Sequence, residues 1–163
     1  MLVGGTLRRP QGRVDRRVAF GDGSEGRVFR ETVRTGPPAA SPAYLAVSFR
    51  LRVIGTSRVG HALFRAESIV NTVLFAGFPG FRSKLWLTDE VHGTYRGLYD
   101  WDGPELAARY AATLATLLRV VCVPETVAYH VVAGVRRDDV LDDPSRLEEY
   151  GAATAWWRPV PQP

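Results

Sequence analysis

The sequence predicts an α+β domain in which two helices cover one face of a four-stranded antiparallel sheet. Three observations carry this. Residues 44–54 alternate apolar and polar with a period of two. Two segments of helical spacing, 59–75 and 104–121, each lie between strand patterns. The stretch from Phe78 to Asp102 reads as a turn, a strand, a polar hairpin loop and a second strand.

The first 42 residues read as an arm. Eight arginines stand there against Asp15, Asp22, Glu25 and Glu31, so this segment carries the whole formal net charge of +4. Arg17–Phe20 and Arg27–Arg30 flank a Gly-rich 21–26 and form a possible hairpin. On its own such a hairpin is marginal in water and needs a surface to lie on; a mostly disordered arm is the alternative. Gly36-Pro37-Pro38-Ala39-Ala40-Ser41-Pro42 is a linker by composition.

From Tyr44 to Ile54, Leu45, Val47, Phe49, Leu51 and Val53 share one face, and Tyr44, Ala46, Ser48, Arg50 and Arg52 the other, as in a strand with one dry face. Leu63, Ala66, Val70, Val73 and Leu74 then recur at helical spacing, after a plausible cap at Ser57 and before Gly77. Pro79-Gly80 turns the chain into a strand at 81–88, and a loop leads to its antiparallel mate at 94–101. Asp102 is placed to cap the next helix, with Pro104 in its first turn and Glu105 three residues on, as in a capping box. Leu106, Tyr110, Leu114, Leu117 and Val121 mark that helix, Pro124 stops it, and 126–132 is a last strand. The lone Cys122, among valines, reads as a small buried hydrophobe. Residues 136–163 form a tail ending in Trp156-Trp157, two rings too apolar to leave in water, expected to dock on the domain or on a second subunit.

The order strand, helix, strand, strand, helix, strand is the ferredoxin-like split βαβ arrangement, assigned to residues 43–135. In it Tyr99 and Trp101 face the helices. The opposite face would carry Ser48, Arg50, Arg52, Arg82, Lys84, Trp86 and Thr88. It is too mixed for a simple core and too aromatic for open solvent, so pairing of two sheets in a homodimer is expected. A one-residue slip would exchange the faces.

Pro79-Gly80-Phe81 entering a strand, Lys84-x-Trp86 within it, the acidic hairpin and Gly97-x-Tyr99-x-Trp101-Asp102 before a helix resemble the YdhR-like monooxygenases of the dimeric α/β-barrel superfamily, which also holds the antibiotic-biosynthesis monooxygenases. The resemblance spans 43–135. It implies a homodimer and, for the monooxygenase branch, oxidation of an electron-rich phenol or polyketide by O₂ without flavin, haem or metal, as in natural-product metabolism. The same superfamily holds cyclases, isomerases and haem-degrading enzymes, and fold does not choose among them. The haem-degrading branch carries an axial His on a helix near its pocket; the helix at 104–121 has none.

Such chemistry needs a proton acceptor and stabilisation of an oxyanion. Lys84, the chain's one lysine, with Arg50 and Arg52, supplies candidate cations, and Trp86 a wall on which an aromatic ring could stack. His130 and His61 are candidate proton shuttles; His92, in the hairpin loop, is expected to be solvated. In superfamily members whose pocket lies between sheet and helices, Tyr99 and Asn71 would line it. The alternative function is a non-catalytic small-ligand-binding or dimerisation module of the same fold. Three histidines without short spacing do not form a zinc site, and neither a phosphate loop nor a dinucleotide fingerprint is present. With neutral 43–163 and no basic stripe, nucleic acid is not an expected partner. No apolar run is long enough to be expected to span a membrane, no leader is expected, and one cysteine fits a reducing cytoplasm.

Overall fold

The computed structural model describes residues 7–50 and 78–162. The expected helix at 59–75 lies outside them. The described chain forms β1 (Leu7–Arg8), β2 (Arg17–Phe20), β3 (Glu25–Arg34), β4 (Pro42–Arg50), β5 (Phe81–Asp89), β6 (Thr94–Asp102), α1 (Pro104–Val121), β7 (Ala128–Ala133), α2 (Arg137–Asp142) and β8 (Pro159–Val160), with 3₁₀ turns at Pro124–Thr126 and Pro144–Tyr150. Among them no helix is long and apolar enough to cross a membrane.

The strands build one sheet of eight, in the order β7-β4-β6-β5-β3-β2-β8, with β1 paired to β3. Its β7-β4-β6-β5 portion is the ferredoxin-like order, all antiparallel. The expected four strands are therefore only half of the sheet. The hairpin of the N-terminal arm forms, and β3 adds to the β5 edge from Arg27↔Thr88 to Val33↔Ser83. An edge strand with unpaired N–H and C=O groups is a template for pairing, and here the chain supplies its own partner. The tail contributes β8, which pairs with β2. Stretches of sequence set apart as arm, domain and tail thus share one hydrogen-bonded sheet.

Two cores lie on its two faces. On one, α1 packs Ala107, Tyr110, Ala111, Leu114, Ala115 and Leu118 against Leu45, Val47, Tyr99 and Trp101, with Cys122 fully buried beside them. The other holds Tyr44, Ala46, Leu85, Leu87 and Leu98, covered by Val140, Leu141, Leu147 and Trp157 from the C-terminal segment. The expectation of a single dry face on β4 is thus corrected, because Tyr44 and Ala46 are as buried as Leu45. The face assigned to a partner's sheet is occupied by the chain's own α2, 3₁₀ turn and Trp157. Tyr44 donates its hydroxyl to the Trp157 carbonyl at 2.8 Å, fixing this segment to the central strand.

Helix α1 starts as expected at Pro104 but is not capped by Asp102. Its N-cap is Gly103, at φ 109°, a conformation that glycine adopts without strain, and no side chain caps it. The Asp102 carboxylate instead accepts the Ser41 N–H at 2.9 Å and Arg82 at 3.2 Å. It therefore ties the linker and β5 together, and the Ser41 hydrogen bond, with that of Ala40 and the Arg82 guanidinium, holds its pKa below the ordinary value despite partial desolvation.

Candidate functional site

Which way Lys84 and Trp86 point is decided by a β-bulge. Phe81 pairs with Trp101 but Ser83 pairs with Asp100, so one residue is inserted around Arg82 and the alternation of β5 inverts beyond it. Lys84 then lies opposite Tyr99, and Trp86 opposite Gly97. Both therefore share the α1 face with Leu45 and Val47, rather than the opposite face on which the sequence placed them. Gly97 makes this possible. A Cβ there would lie 2.6 Å from the Tyr99 ring and 3.0 Å from Lys84 Cε.

The result is a buried aromatic cluster around one ammonium. Lys84 is 4% exposed. Its Nζ lies 3.1 Å from the centroid of the Trp86 ring and 4.9 Å from that of Tyr99, within reach of cation–π attraction to both, an attraction that strengthens as water is excluded. The Tyr99 and Tyr110 hydroxyls are 3.1 Å apart and share a hydrogen bond between sheet and helix. Burial pushes the pKa of both phenols up, so both stay protonated. Trp86 Nε1 donates to Thr32 Oγ1 over a long 3.4 Å. Phe29 tilts against its ring at 6.5 Å, and the Arg30 guanidinium carbon lies 5.7 Å from its centroid. Chemically, the arrangement offers a cation and neutral O–H donors beside flat apolar surface. Such groups stabilise a developing oxyanion more strongly where water is scarce.

Of the residues predicted for a site, the structure brings together Lys84, Trp86 and Tyr99. His130 is not among them. It pairs with Ala46 on the opposite face and stacks on Trp157, centroids 4.0 Å apart and planes 15° from parallel, and burial lowers its pKa. Arg50 sits at the exposed end of β4, on the His130 side by alternation, its backbone N–H on Thr126 Oγ1. Arg52, His61 and Asn71 lie outside the described residues. The exposed His92 is hydrogen bonded to Asp89 at 2.8 Å. Thr32, Phe29, Arg30 and Tyr110 are the residues that sequence reasoning missed. The first three were read as arm, although Val28-Phe29-Arg30 already showed strand character; Tyr110 was read only as part of an apolar stripe. Among the described residues no group of three or more His, Cys, Asp or Glu side chains is placed to hold a metal ion.

No protein-family model matches the sequence, and no curated protein matches it. Two solved structures are similar in overall shape. One is an uncharacterized ferredoxin-fold protein related to antibiotic biosynthesis monooxygenases, from Listeria monocytogenes 4b F2365. It is 14% identical, with a TM-score of 0.46 over 68% of this chain and 64% of that one. The other is LmHde, a heme-degrading enzyme from Listeria monocytogenes, 13% identical, with a TM-score of 0.47 over 67% of this chain and 70% of that one. At these values neither likeness bears on the chemistry of this chain.

Proposed function

We propose that the protein is a monooxygenase-like enzyme of the YdhR-like type, acting without a cofactor on a small phenolic or polyketide-type substrate held on the α1 face of the sheet. The observation that carries this reading is the buried Lys84 ammonium, 3.1 Å from the Trp86 ring and beside the Tyr99–Tyr110 hydroxyl pair. In the proposed reaction a phenol loses its O–H proton and a ring C–H hydrogen. One atom of O₂ enters the ring as a quinone oxygen and the other leaves as water, so the substrate supplies all four electrons. Lys84 stabilises the phenolate, Trp86 carries the ring, and Tyr99 donates a hydrogen bond to the substrate oxygen. The proton acceptor is neither tyrosine, since both are held neutral. With His130 on the other face, His61 is the remaining candidate of the two shuttles.

The test is oxygen uptake by metal-free and flavin-free protein with a panel of naphthols and other monohydric phenols. Uptake matched one to one by quinone, and lost in Lys84→Met while the variant remains folded, supports the reading. Uptake unchanged in Lys84→Met overturns it. The close packing of Lys84 on two rings favours a second reading, a small-ligand-binding module of the same fold. Saturable binding of the same phenols with no oxygen uptake would select it.

A further inference from the structure

On the face of the sheet opposite Lys84, a cavity of about 450 Å³ opens between β3, the 36–42 linker, the start of β5 and the start of α2. Pockets for metabolite-sized ligands span roughly 300–1,000 Å³. The charge of this one is unbalanced. Arg13, Arg34, Arg82, Arg136 and Arg137 line it, against Glu31, Asp100 and Asp138.

The carboxylates are engaged by two of these arginines. Glu31 meets Arg137 at 2.8 Å and Arg13 at 3.4 Å. Asp138 is held by the same two guanidiniums, at 2.9 Å and 3.1 Å. Asp100 accepts the Arg137 backbone N–H at 2.6 Å, and burial pushes its pKa up, toward the uncharged acid. Arg82 turns one nitrogen away to Asp102 at 3.2 Å, while its Nε is buried with no hydrogen-bond partner among the described residues. Arg136 is exposed and forms no ion pair among the described residues. Apart from Ser83, the rest of the wall is apolar and short of donors, because Pro10, Pro37, Pro38 and Pro42 have no N–H.

We propose that this cavity is a binding site for a small organic anion, whose carboxylate or phosphate head is held by Arg82 and Arg136 and whose apolar body lies on the prolines. A guanidinium presents N–H groups in a planar fork that matches either head in two-point contact. The site is separate from the Lys84 cluster and stands or falls independently of the proposed oxygenation.

Calorimetric titration of the full chain at fixed ionic strength tests it, with benzoate, phenyl phosphate, inorganic phosphate and neutral benzyl alcohol as probes. Benzoate or phenyl phosphate is expected to bind at least about tenfold more tightly than benzyl alcohol and inorganic phosphate. Whichever of the two acids binds more tightly identifies the head group. Arg136→Ala, at an exposed position, and Arg82→Gln are each expected to weaken that binding by about tenfold. Arg119→Ala, exposed on α1, is expected to leave it unchanged. The proposal is overturned if benzyl alcohol or inorganic phosphate binds as tightly as the organic acids, if neither acid binds at roughly 10 mM, or if both cavity variants retain wild-type affinity.

Discussion

Arg137 and Glu31 meet at 2.8 Å across 106 residues of sequence, with side chains only 1% and 5% exposed. The guanidinium also lies 3.5 Å from the Leu98 carbonyl and bonds to Asp138. One side chain therefore joins the C-terminal segment to the N-terminal hairpin and to a central strand. Breaking a buried pair leaves an uncompensated charge in a poorly solvated place, whereas replacing both partners removes that penalty. Arg137→Ala is expected to lower unfolding stability by about 3–5 kcal/mol in urea, and Arg137→Met with Glu31→Leu by clearly less. A double variant as unstable as the single one would show that Arg137 acts through its other contacts.

Trp157 covers part of the second sheet face, beside Val140, Leu141 and Leu147. Trp157→Ala is expected to cost about 3–5 kcal/mol. It should also expose apolar surface around Tyr44 and Leu98, with concentration-dependent association by sedimentation as the readout. Tyr44→Phe keeps the packing and removes the hydroxyl that donates to the Trp157 carbonyl, so about 1–3 kcal/mol is expected, without association.

Gly97 holds open the space that Lys84 and Tyr99 occupy. Gly97→Ala puts a methyl group where the Tyr99 ring lies, and overpacking of this kind costs about 1–3 kcal/mol. Because Lys84 Cε must also give way, phenol binding should fall together with the melting temperature. Wild-type stability and binding in this variant would mean that the cluster is looser than described.

Protonation of His130 is disfavoured in the folded chain, because burial lowers its pKa from the ordinary 6.5. The unfolded chain therefore takes up this proton at higher pH than the folded one. The stability it contributes is complete above pH 6.5 and is lost as pH falls through the lower folded value. His130→Phe keeps a ring on Trp157 and should flatten this part of the stability profile. Asp89, Asp102 and Asp138 are held below the ordinary 3.8 and act only at more acid pH, while Asp100, pushed above it by burial, works in the opposite sense, its contribution present at low pH and lost as pH rises. An unchanged slope below pH 6.5 in His130→Phe would assign the loss to another group.

Much of the site was legible as a pair and not as a place. Lys84 and Trp86 share a face because two residues along a strand always do. The face itself was misread, since the bulge at Arg82 shifts the register and nothing in Phe81-Arg82-Ser83 announces it. Thr32 and Phe29 were invisible as site residues because their neighbours Lys84 and Trp86 stand more than fifty positions away. His130 looked like an acid–base candidate because a strand histidine has two faces to choose from, and only its stack on Trp157 shows which one it took.

By itself the sequence determined the elements it encodes locally: the alternation of β4, the β5–β6 hairpin, the start of α1 at Pro104, and two tail tryptophans that had to pack on something; the arm it left open between a hairpin and disorder. Periodicity and turn chemistry act over a few residues and need no knowledge of the rest of the chain. Tertiary structure alone decided that the arm extends the sheet at β5, that the tail covers the second face, and that Lys84 lies under α1. Those outcomes depend on edge pairing, on a one-residue bulge and on ion pairs such as Arg137–Glu31, all of them contacts between distant segments whose energies no local pattern records.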